Sequence, residues 1–489
     1  MKNKRNTRRN STPQQPPSLF QTLLQRHAAF YGQVVKGLDR ITPENLATFD
    51  LEGPNIQRGF AWVKDNVEDR DSISTICFDY TGYFELLSLR LHPQEFIEWM
   101  RAGYSAASRL KHQQRKSYYL GGLANSYWRV GAFRKAIKYY ERALKISAEI
   151  GFPQGEVSWL GGLGNAYVSL GAYQKAIEYY ERALSASREA GFRQDEGLWT
   201  GGLGVSYDNL GEHQKAIEYF EQALTISREI GDIQRESLWL SNLGVTYTSL
   251  GQYRKAIELR SEALKISRDI MDRQREGYHL GGLGSAYWNL GEHQQAIKCY
   301  EQALTIAKRF DDRQSEGTCL GDLGTVYDGI GEHRKAIEYY EQALTISREL
   351  GSRQYECTWL GNLGKAYFNL NEYVQALEYY EEALAISTEI GFLQGKGSIL
   401  GNLGNIYSSL DEHRRGIDYH QQALKIFREL GDRKGEGSIL SNLGTIYDSL
   451  DENKKARKYL KDALRIFEEI ESPAAEIVRG WLAESETYE

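Results

Sequence analysis

Three patterns in the sequence contain residue types that are used in catalysis or ligand binding. The first is the segment from Gly391 to Ser398, GFLQGKGS, whose glycines and lysine are typical of a phosphate-binding loop. The segment has one residue too few before its Gly-Lys pair, and no strand pattern precedes it. It is also one copy of a turn that recurs along the chain, so we interpret it as a turn.

The second pattern is a set of histidines separated by multiples of forty residues, at His213, His293, His333 and His413. Imidazoles bind zinc, but a shared ion with bonds of about 2.1 Å needs its ligands close together. One histidine in each repeated segment would instead lie about 10 Å from the next. Tyr173 and Phe133 occupy the equivalent position elsewhere. We therefore predict that these rings pack in turns, and we predict no metal site.

The third pattern is a set of aspartates on one side of predicted helices, at Asp208, Asp322, Asp328 and Asp448. Asp322 and Asp328 lie six residues apart, which is roughly 9 Å along a helix. We expect no histidine, cysteine or arginine at catalytic range of these carboxylates. Because no nucleophile, base and orienting group come together, we predict no enzymatic activity and no cofactor.

The composition and apolar patterning of the sequence argue against several classes of partner and location. The net charge of −6 argues against nucleic acid as a partner, because a phosphate-binding surface needs clustered Lys and Arg. No apolar run approaches the roughly 20 residues of a membrane span, and no secretory signal is recognisable. The cysteines show no paired spacing and suit a reducing compartment: Cys77, Cys299, Cys319 and Cys357. We therefore expect a cytoplasmic protein without a membrane or nucleic-acid partner.

From Leu120 onward the sequence repeats itself every forty residues without insertion. A tyrosine recurs at 127, 167, 207, 247, 287, 327, 367, 407 and 447, and an Ala-Leu pair begins at 143, 183, 223, 263, 303, 343, 383, 423 and 463. Such self-similarity predicts a stacked array. Within the second repeat, the apolar stripes around Leu163 and Tyr180 each have helical spacing, and Gly171 separates them. Two such helices cannot bury both stripes alone, so neighbouring hairpins must close the core.

The recurring Leu-Gly-x-x-Tyr and Ala-Leu motifs resemble those of the tetratricopeptide repeat family, with a forty-residue repeat like that of kinesin light chains and the Leu-Gly-Asn spindle-orientation adaptor. The resemblance covers about three-quarters of the chain. It implies an all-α, right-handed superhelical solenoid of antiparallel helix hairpins. It further implies a binding scaffold whose first helices line a concave groove, although a fold alone does not determine a function.

The ends of the array depart from this pattern. We predict a disordered basic tail over 1–17, a helical block over 18–68, a divergent first hairpin over 69–112, nine repeats over 113–471, and a capping helix over 472–489. In the helical block, a helix is expected from Leu19 to Leu38, a second from Pro43, and a third from Gly53-Pro54. In the cap, Ile477, Val478, Trp481 and Leu482 are expected to cover the ninth repeat.

The block that contains His27–Tyr31 and Asn55–Trp62 resembles the connector between the ATPase part and the repeat array of bacterial STAND signalling ATPases. The resemblance implies a sensor half of such a protein. No phosphate loop precedes the block in this sequence, so nucleotide-driven switching is not carried over.

Positions that vary among the repeats are candidates for recognition, because the constant positions are needed for stacking. Three columns on the first helices vary. The first column contains Gly122, Gly162, Gly202, Asn242, Gly282, Asp322, Asn362, Asn402 and Asn442. The second contains Asn125, Asn165, Val205, Val245, Ser285, Thr325, Lys365, Asn405 and Thr445. The third contains Trp128, Val168, Asp208, Thr248, Trp288, Asp328, Phe368, Ser408 and Asp448.

The seven asparagines in these columns match the asparagine ladder with which family members hold a peptide backbone, since an amide both donates and accepts hydrogen bonds. Alternatively, they are solvated or bond neighbouring helices. Trp128, Trp288 and Phe368 are candidate anchors. Four aspartates against Arg129 and Lys365 favour a partner with basic residues.

The fourth repeat is unusual, because Arg260 replaces an aromatic residue and Met271 replaces a glycine. We expect Arg260 to lay its stem along the core and to expose its charged head. The leading hypothesis is a non-catalytic scaffold or sensor module that binds a protein or peptide segment in the groove. The alternative is a ligand-responsive receptor that signals through its N-terminal helices.

Overall fold

The structure, a computed structural model, describes residues 19–37, 43–81, 87, 91–470 and 472–486. Within these residues the regular secondary structure is entirely helical, and the helices of the repeat array form antiparallel pairs, which confirms the predicted all-α array of hairpins. The predicted basic tail over 1–17 lies outside the described residues. We number the helices α1 to α23 in chain order.

The N-terminal helices are α1 (Leu19–Gly37), α2 (Pro43–Asn66), α3 (Asp71–Thr81) and α4 (Pro93–Arg109). Repeats one to four contain α5 (Gln113–Arg129), α6 (Phe133–Ile150), α7 (Pro153–Ser169), α8 (Tyr173–Ala190), α9 (Arg193–Asn209), α10 (His213–Ile230), α11 (Ile233–Ser249) and α12 (Tyr253–Asp269). Repeats five to nine contain α13 (Arg273–Leu290), α14 (His293–Arg309), α15 (Arg313–Gly329), α16 (His333–Glu349), α17 (Arg353–Asn369), α18 (Tyr373–Glu389), α19 (Leu393–Ser409), α20 (His413–Leu430), α21 (Arg433–Ser449) and α22 (Asn453–Glu469). The last helix is α23 (Ala474–Glu486). The chain divides into two compact units, residues 1–246 and 247–489.

The prediction of a helix boundary at Gly53-Pro54 was wrong, because α2 continues through Pro54. A proline inside a helix removes one backbone hydrogen bond and crowds the preceding turn. The buried residues Phe49, Ile56 and Phe60 lie on both sides of Pro54 at helical spacing. Burial of one continuous apolar face therefore outweighs the local cost of the proline.

Two of the four α23 residues that were expected to cover the ninth repeat pack against it. Val478 and Leu482 belong to the core cluster that includes Phe467. Ile477 and Trp481, in contrast, remain 57% and 38% exposed. The four residues were expected on one side, but the two exposed ones lie beyond the contact with α22.

A stacked pair of tyrosines joins the two helices of most hairpins. In the second repeat, the rings of Tyr167 and Tyr179 lie 5.3 Å apart at an interplanar angle of 8°. Equivalent stacks form in repeats one, three, six, seven, eight and nine. In repeats four and five the second tyrosine is replaced by Leu259 and Cys299. These two central hairpins therefore lack a contact that the others share.

Glycines on the first helices accept aromatic rings from two directions. The ring of Tyr180 lies against Gly164 of its own repeat and against Gly202 of the next repeat, where an added Cβ would come within 2.5 Å and 2.9 Å of it. The ring of Trp199 lies against Gly161, where an added Cβ would come within 2.1 Å. A side chain added at Gly161, Gly164 or Gly202 would therefore require the ring above it to shift.

Ion pairs also fasten the second helix of one repeat to the first helix of the next. Glu196 accepts hydrogen bonds from Arg188 at 2.9 Å and from Arg193 at 2.6 Å. Glu276, Glu356 and Glu436 are held by two arginines in the same way. Each of these glutamates is largely buried, so the paired guanidinium groups offset the desolvation of its charge.

The cap of the fourth repeat is strained, because Met271 occupies a left-handed position with φ of 57° and its side chain is 76% exposed. A left-handed conformation costs a non-glycine residue about 1–2 kcal/mol. We predict that Met271→Gly raises the free energy of unfolding by about 1 kcal/mol, measured by chemical denaturation. The reverse control is Gly231→Ala, at an equivalent cap with φ of 70°, which should destabilise by a similar amount. A stabilising Gly231→Ala would contradict the strain argument.

A buried histidine makes stability depend on pH. His420 is completely buried beside Gly404, neither ring nitrogen has a hydrogen-bond partner among the described residues, and burial lowers its pKa to about 4. The unfolded state therefore binds an extra proton between pH 6.5 and 4, so stability falls as the pH drops through this window. His420→Tyr, which restores the residue of sister repeats, should raise the unfolding free energy by about 2 kcal/mol more at pH 5 than at pH 7.5. Equal gains at both pH values would exclude a neutral buried imidazole.

Candidate functional site

The three variable columns lie on the first helices with unequal exposure. Of the predicted site residues in the N-terminal unit, the exposed ones are Asn125, Trp128, Arg129 and Asn165, and the half-buried ones are Asp208 and Asn242. Of those in the C-terminal unit, the exposed ones are Lys365 and Asp448, the buried one is Asp328, and the half-buried ones are Trp288, Asp322, Asn362, Phe368, Asn402, Asn405 and Asn442. We call these positions the first-helix surface of their unit.

Several of the predicted asparagines bond to neighbouring side chains. The hydroxyl of Tyr180 donates to Oδ1 of Asn165 at 2.6 Å, and Tyr140 donates to Asn125 in the same way. Tyr380 hydrogen-bonds with Asn402 of the next repeat. In repeats eight and nine, Nδ2 of Asn442 donates to Oδ1 of Asn405 at 3.0 Å. These amides therefore orient the repeats as well as facing outward, as the alternative reading of the sequence allowed.

Asp328 lies at the centre of a polar cluster on the first-helix surface of the C-terminal unit. One carboxylate oxygen contacts Nδ1 of His333 at 2.7 Å and Nδ2 of Asn369 at 3.2 Å, and the other contacts Nζ of Lys365 at 3.0 Å. Asp328 is only 6% exposed. With its oxygens occupied and its charge balanced by Lys365, it acts as a structural anion between α15, α16 and α17.

The expectation that no histidine accompanies the aspartates was therefore wrong. His333 contacts Asp328, and His213 contacts Asp208 through Nδ1 at 2.9 Å. The tight turn between the two helices brings residues five positions apart together, a proximity that helical spacing alone does not predict. The Asp328–Lys365 pair also reduces the negative charge on which the expected preference for a basic partner rested.

The three candidate aromatic anchors differ in accessibility. Trp128 is 38% exposed and donates from Nε1 to Oγ of Ser169 at 2.9 Å. The ring of Trp288 covers Gly329 and lies 4.9 Å from that of His293. Phe368 packs at 5.7 Å from Tyr373. Trp128 thus has the freest indole face, whereas Trp288 is partly consumed by packing between repeats five and six.

A pocket of about 780 Å³ opens in the C-terminal unit among α12, α13, α14 and α15. The pocket forms because a packing contact that recurs in other repeats is missing here. Tryptophans at 159, 199, 239 and 359 fill the space over a glycine of the preceding repeat, but His279 and Cys319 stand at the equivalent positions in repeats five and six. A Cβ added to Gly281 would meet no atom within 4 Å in the described structure. The shorter Cys319 therefore leaves this space open.

Arg260 lines the same pocket, and the expectation that its head is exposed was wrong. The residue is only 7% exposed, and its guanidinium lies against Gly282, where sister repeats place a tyrosine ring. Because Gly282 has no Cβ, the aliphatic part of the Arg260 side chain can extend inward and bury the guanidinium. Among the described residues Nε has no hydrogen-bond partner, and burial lowers the pKa of the group. The pocket thus contains an incompletely satisfied buried cation.

Two acidic residues, Asp312 and Asp322, also line the pocket. Burial raises the pKa of the Asp322 carboxyl to about 7, so the protonated form is well populated near neutrality. The neighbouring thiol of Cys319 has its pKa raised to about 12 by burial and by Asp322, which keeps it a neutral thiol. Sequence analysis singled out Asp322 and Arg260 separately but missed the pocket. The available signal was the loss of tryptophan at 279 and 319.

Within the described residues, no group of three or more His, Cys, Asp and Glu side chains has a metal-binding arrangement, and the four cysteines are free thiols. None of the described helices is both long enough and apolar enough to cross a membrane. The site therefore consists of the first-helix surfaces and the pocket.

Antiparallel helix pairs that repeat at one period define a helical repeat protein. Sequence profiles of the tetratricopeptide repeat match residues 116–189, 196–269, 276–349, 335–389, 354–415 and 395–469, and also 162–229. These matches span more than half of the chain, so the chain belongs to the tetratricopeptide repeat family. No curated protein matched the sequence.

Solved structures have a similar fold. A Signal Transduction ATPase with Numerous Domains from Pyrococcus horikoshii, with a tetratricopeptide repeat sensor, is 15% identical with a TM-score of 0.58, covering 87% of this chain and 68% of that chain. The apo quorum sensor NprR from B. thuringiensis is 18% identical with a TM-score of 0.53, covering 71% and 99%. Aspartyl phosphate phosphatase F from Bacillus subtilis is 14% identical with a TM-score of 0.50, covering 73% and 94%. At these identities the likeness concerns the fold alone.

The hydrogen bond between Asn165 and Tyr180 gives a test of the structural role of the asparagines. We predict that Asn165→Ala destabilises the protein by about 1–2 kcal/mol, because the buried hydroxyl of Tyr180 loses its acceptor. In a Tyr180→Phe background the same substitution should cost much less, which a double-mutant cycle in denaturant measures. Equal costs in both backgrounds would mean that the bond contributes nothing.

Proposed function

We propose that this chain is a non-catalytic binding module that holds a segment of another protein or a peptide on its first-helix surface. The proposal rests on a difference between the recurring and the variable residues of each repeat. The recurring tyrosines, tryptophans and glycines are used in packing, whereas variable residues such as Trp128, Lys365 and Asp448 face outward. Stacked helical repeats offer extended surfaces of this kind to partners.

The absence of catalysis remains a part of this proposal. The aspartate–histidine contacts are the closest approach to catalytic chemistry on the first-helix surface. In the buried one, the Asp328 oxygens already contact His333, Asn369 and Lys365. We also propose a cytoplasmic location, on the basis of the free cysteines.

A ligand-responsive receptor is the second candidate. It is favoured by the fold shared with a tetratricopeptide repeat sensor from Pyrococcus horikoshii and with a quorum sensor from B. thuringiensis. The proposed resemblance of residues 18–68 to a STAND connector would provide the route for a signal. This candidate requires a conformational response, so small-angle scattering should show a smaller radius of gyration with partner bound. An unchanged radius would leave the scaffold as the better description.

The binding proposal is tested with substitutions that spare the bonds between repeats. Asn402 and Asn442 hold neighbours, so we choose Asn362, Phe368 and Asp448 for a triple alanine variant. Proteins captured from the native cell by wild type and by this variant are compared by quantitative mass spectrometry. We predict that specific partners fall at least tenfold with the variant, because interface energy is concentrated in few residues.

The matched control replaces three exposed residues on the second helices of repeats six to eight, Glu338, Glu378 and Asp418, by alanine. This control should keep the partners, and circular dichroism should show both variants folded. Partners that survive the first-helix variant, or that are lost equally with the control, would refute binding at this surface.

A further inference from the structure

The pocket at Gly281 includes the place that an aromatic ring occupies in other repeats. In repeat seven the ring of Trp359 fills the space over Gly321, approaching an added Cβ to 2.2 Å, and Trp159, Trp199 and Trp239 do the same over their glycines. Ile399 and Ile439 approach the equivalent glycines in the last repeats. At Gly281 the same backbone geometry persists without such a side chain. A flat ring of about indole size therefore fits the open space.

Arg260 is the lining residue that favours an anionic ligand, against the acidic Asp312 and Asp322. Arg260 is more than nine-tenths buried, its Nε lacks a partner among the described residues, and it lies at Gly282, next to the open space. A buried guanidinium gains most from a carboxylate, which accepts paired hydrogen bonds from its fork of donors. The walls of Ile306 and Phe310 are apolar and suit a ring.

We propose that this pocket binds a flat aromatic ring of about indole size that carries a carboxylate, with the ring over Gly281 and the carboxylate at Arg260. The inference deepens the proposed function and rests on it, because it names the ligand class of one site in the binding module.

This chemistry has two sources, a free aromatic acid and the C-terminal residue of a peptide that ends in tryptophan. The shared group is tested first with N-acetyl-tryptophan, by isothermal titration calorimetry on the full chain. N-acetyl-tryptophanamide, which lacks the carboxylate, and N-acetyl-leucine, which lacks the ring, should bind at least tenfold more weakly. A peptide that ends in tryptophan with a free carboxylate is then compared with N-acetyl-tryptophan: tighter binding of the peptide indicates a peptide C-terminus, and weaker binding indicates a free aromatic acid.

Two variants close the pocket with residues that the other repeats already use. Cys319→Trp places an indole over Gly281, as Trp359 does over Gly321, and Arg260→Tyr restores the ring that lies on Gly202 in repeat three. Both should fold at least as stably as wild type and should weaken binding of N-acetyl-tryptophan at least tenfold. His420→Tyr restores a repeat residue outside the pocket and should leave binding unchanged, which controls for a general gain in stability.

The outcomes separate this inference from the proposed function. If N-acetyl-tryptophan does not bind, or binds as well as its amide or as well to Cys319→Trp, the pocket assignment is overturned while partner capture by the first-helix surface can still hold. Binding of tryptophan without binding of N-acetyl-tryptophan would also overturn it, because the recognised group would be an amine. Selective binding that Cys319→Trp and Arg260→Tyr abolish supports the pocket whatever the outcome of the capture experiment.

Discussion

The packing of aromatic rings against bare glycine backbone is the interaction on which this fold depends. Most first helices present glycines toward neighbouring helices, and the space above most of these glycines is filled by a tyrosine or phenylalanine from a second helix or by a tryptophan or isoleucine from the next repeat. Aromatic side chains bury large apolar areas, so each such contact contributes much of the coupling between repeats. A two-helix hairpin has no other way to cover these faces, which makes the array cooperative only through its neighbours.

The same constraint explains where the chain is free to differ. Aromatic residues pack on the glycines in most repeats, whereas the outward columns change from repeat to repeat. In the first part of the C-terminal unit, Arg260, Cys299 and Cys319 replace aromatic residues of the sister repeats. Their consequences differ, since Cys299 removes a tyrosine stack but Cys319 opens space over Gly281. Loss of an aromatic residue thus removes a stacking contact at Cys299 and opens a pocket at Cys319.

The forty-residue period allowed the helices, their pairing and the repeats to be predicted, because apolar spacing directly reflects which faces are buried. Contacts that depend on turn geometry, or on the lack of a side chain at a glycine, could not be predicted from apolar spacing. The pairing of Asp328 with His333 follows from turn geometry, and the continuation of α2 through Pro54 follows from tertiary burial that outweighs a local signal. The buried head of Arg260 required knowledge that Gly282 lies opposite. Each miss concerns a residue whose surroundings come from another helix.

Filling the open space would have a structural effect as well as a chemical one. At four of the other repeat boundaries a tryptophan supplies this contact, so a bound ring would supply it between repeats five and six. Because stability in a linear array is a sum over neighbouring boundaries, a ligand there would stabilise that boundary. A scaffold and a receptor then differ only in degree. A ligand bound there would also stabilise the boundary between repeats five and six, and its carboxylate would give the buried Arg260 Nε an acceptor that it lacks among the described residues.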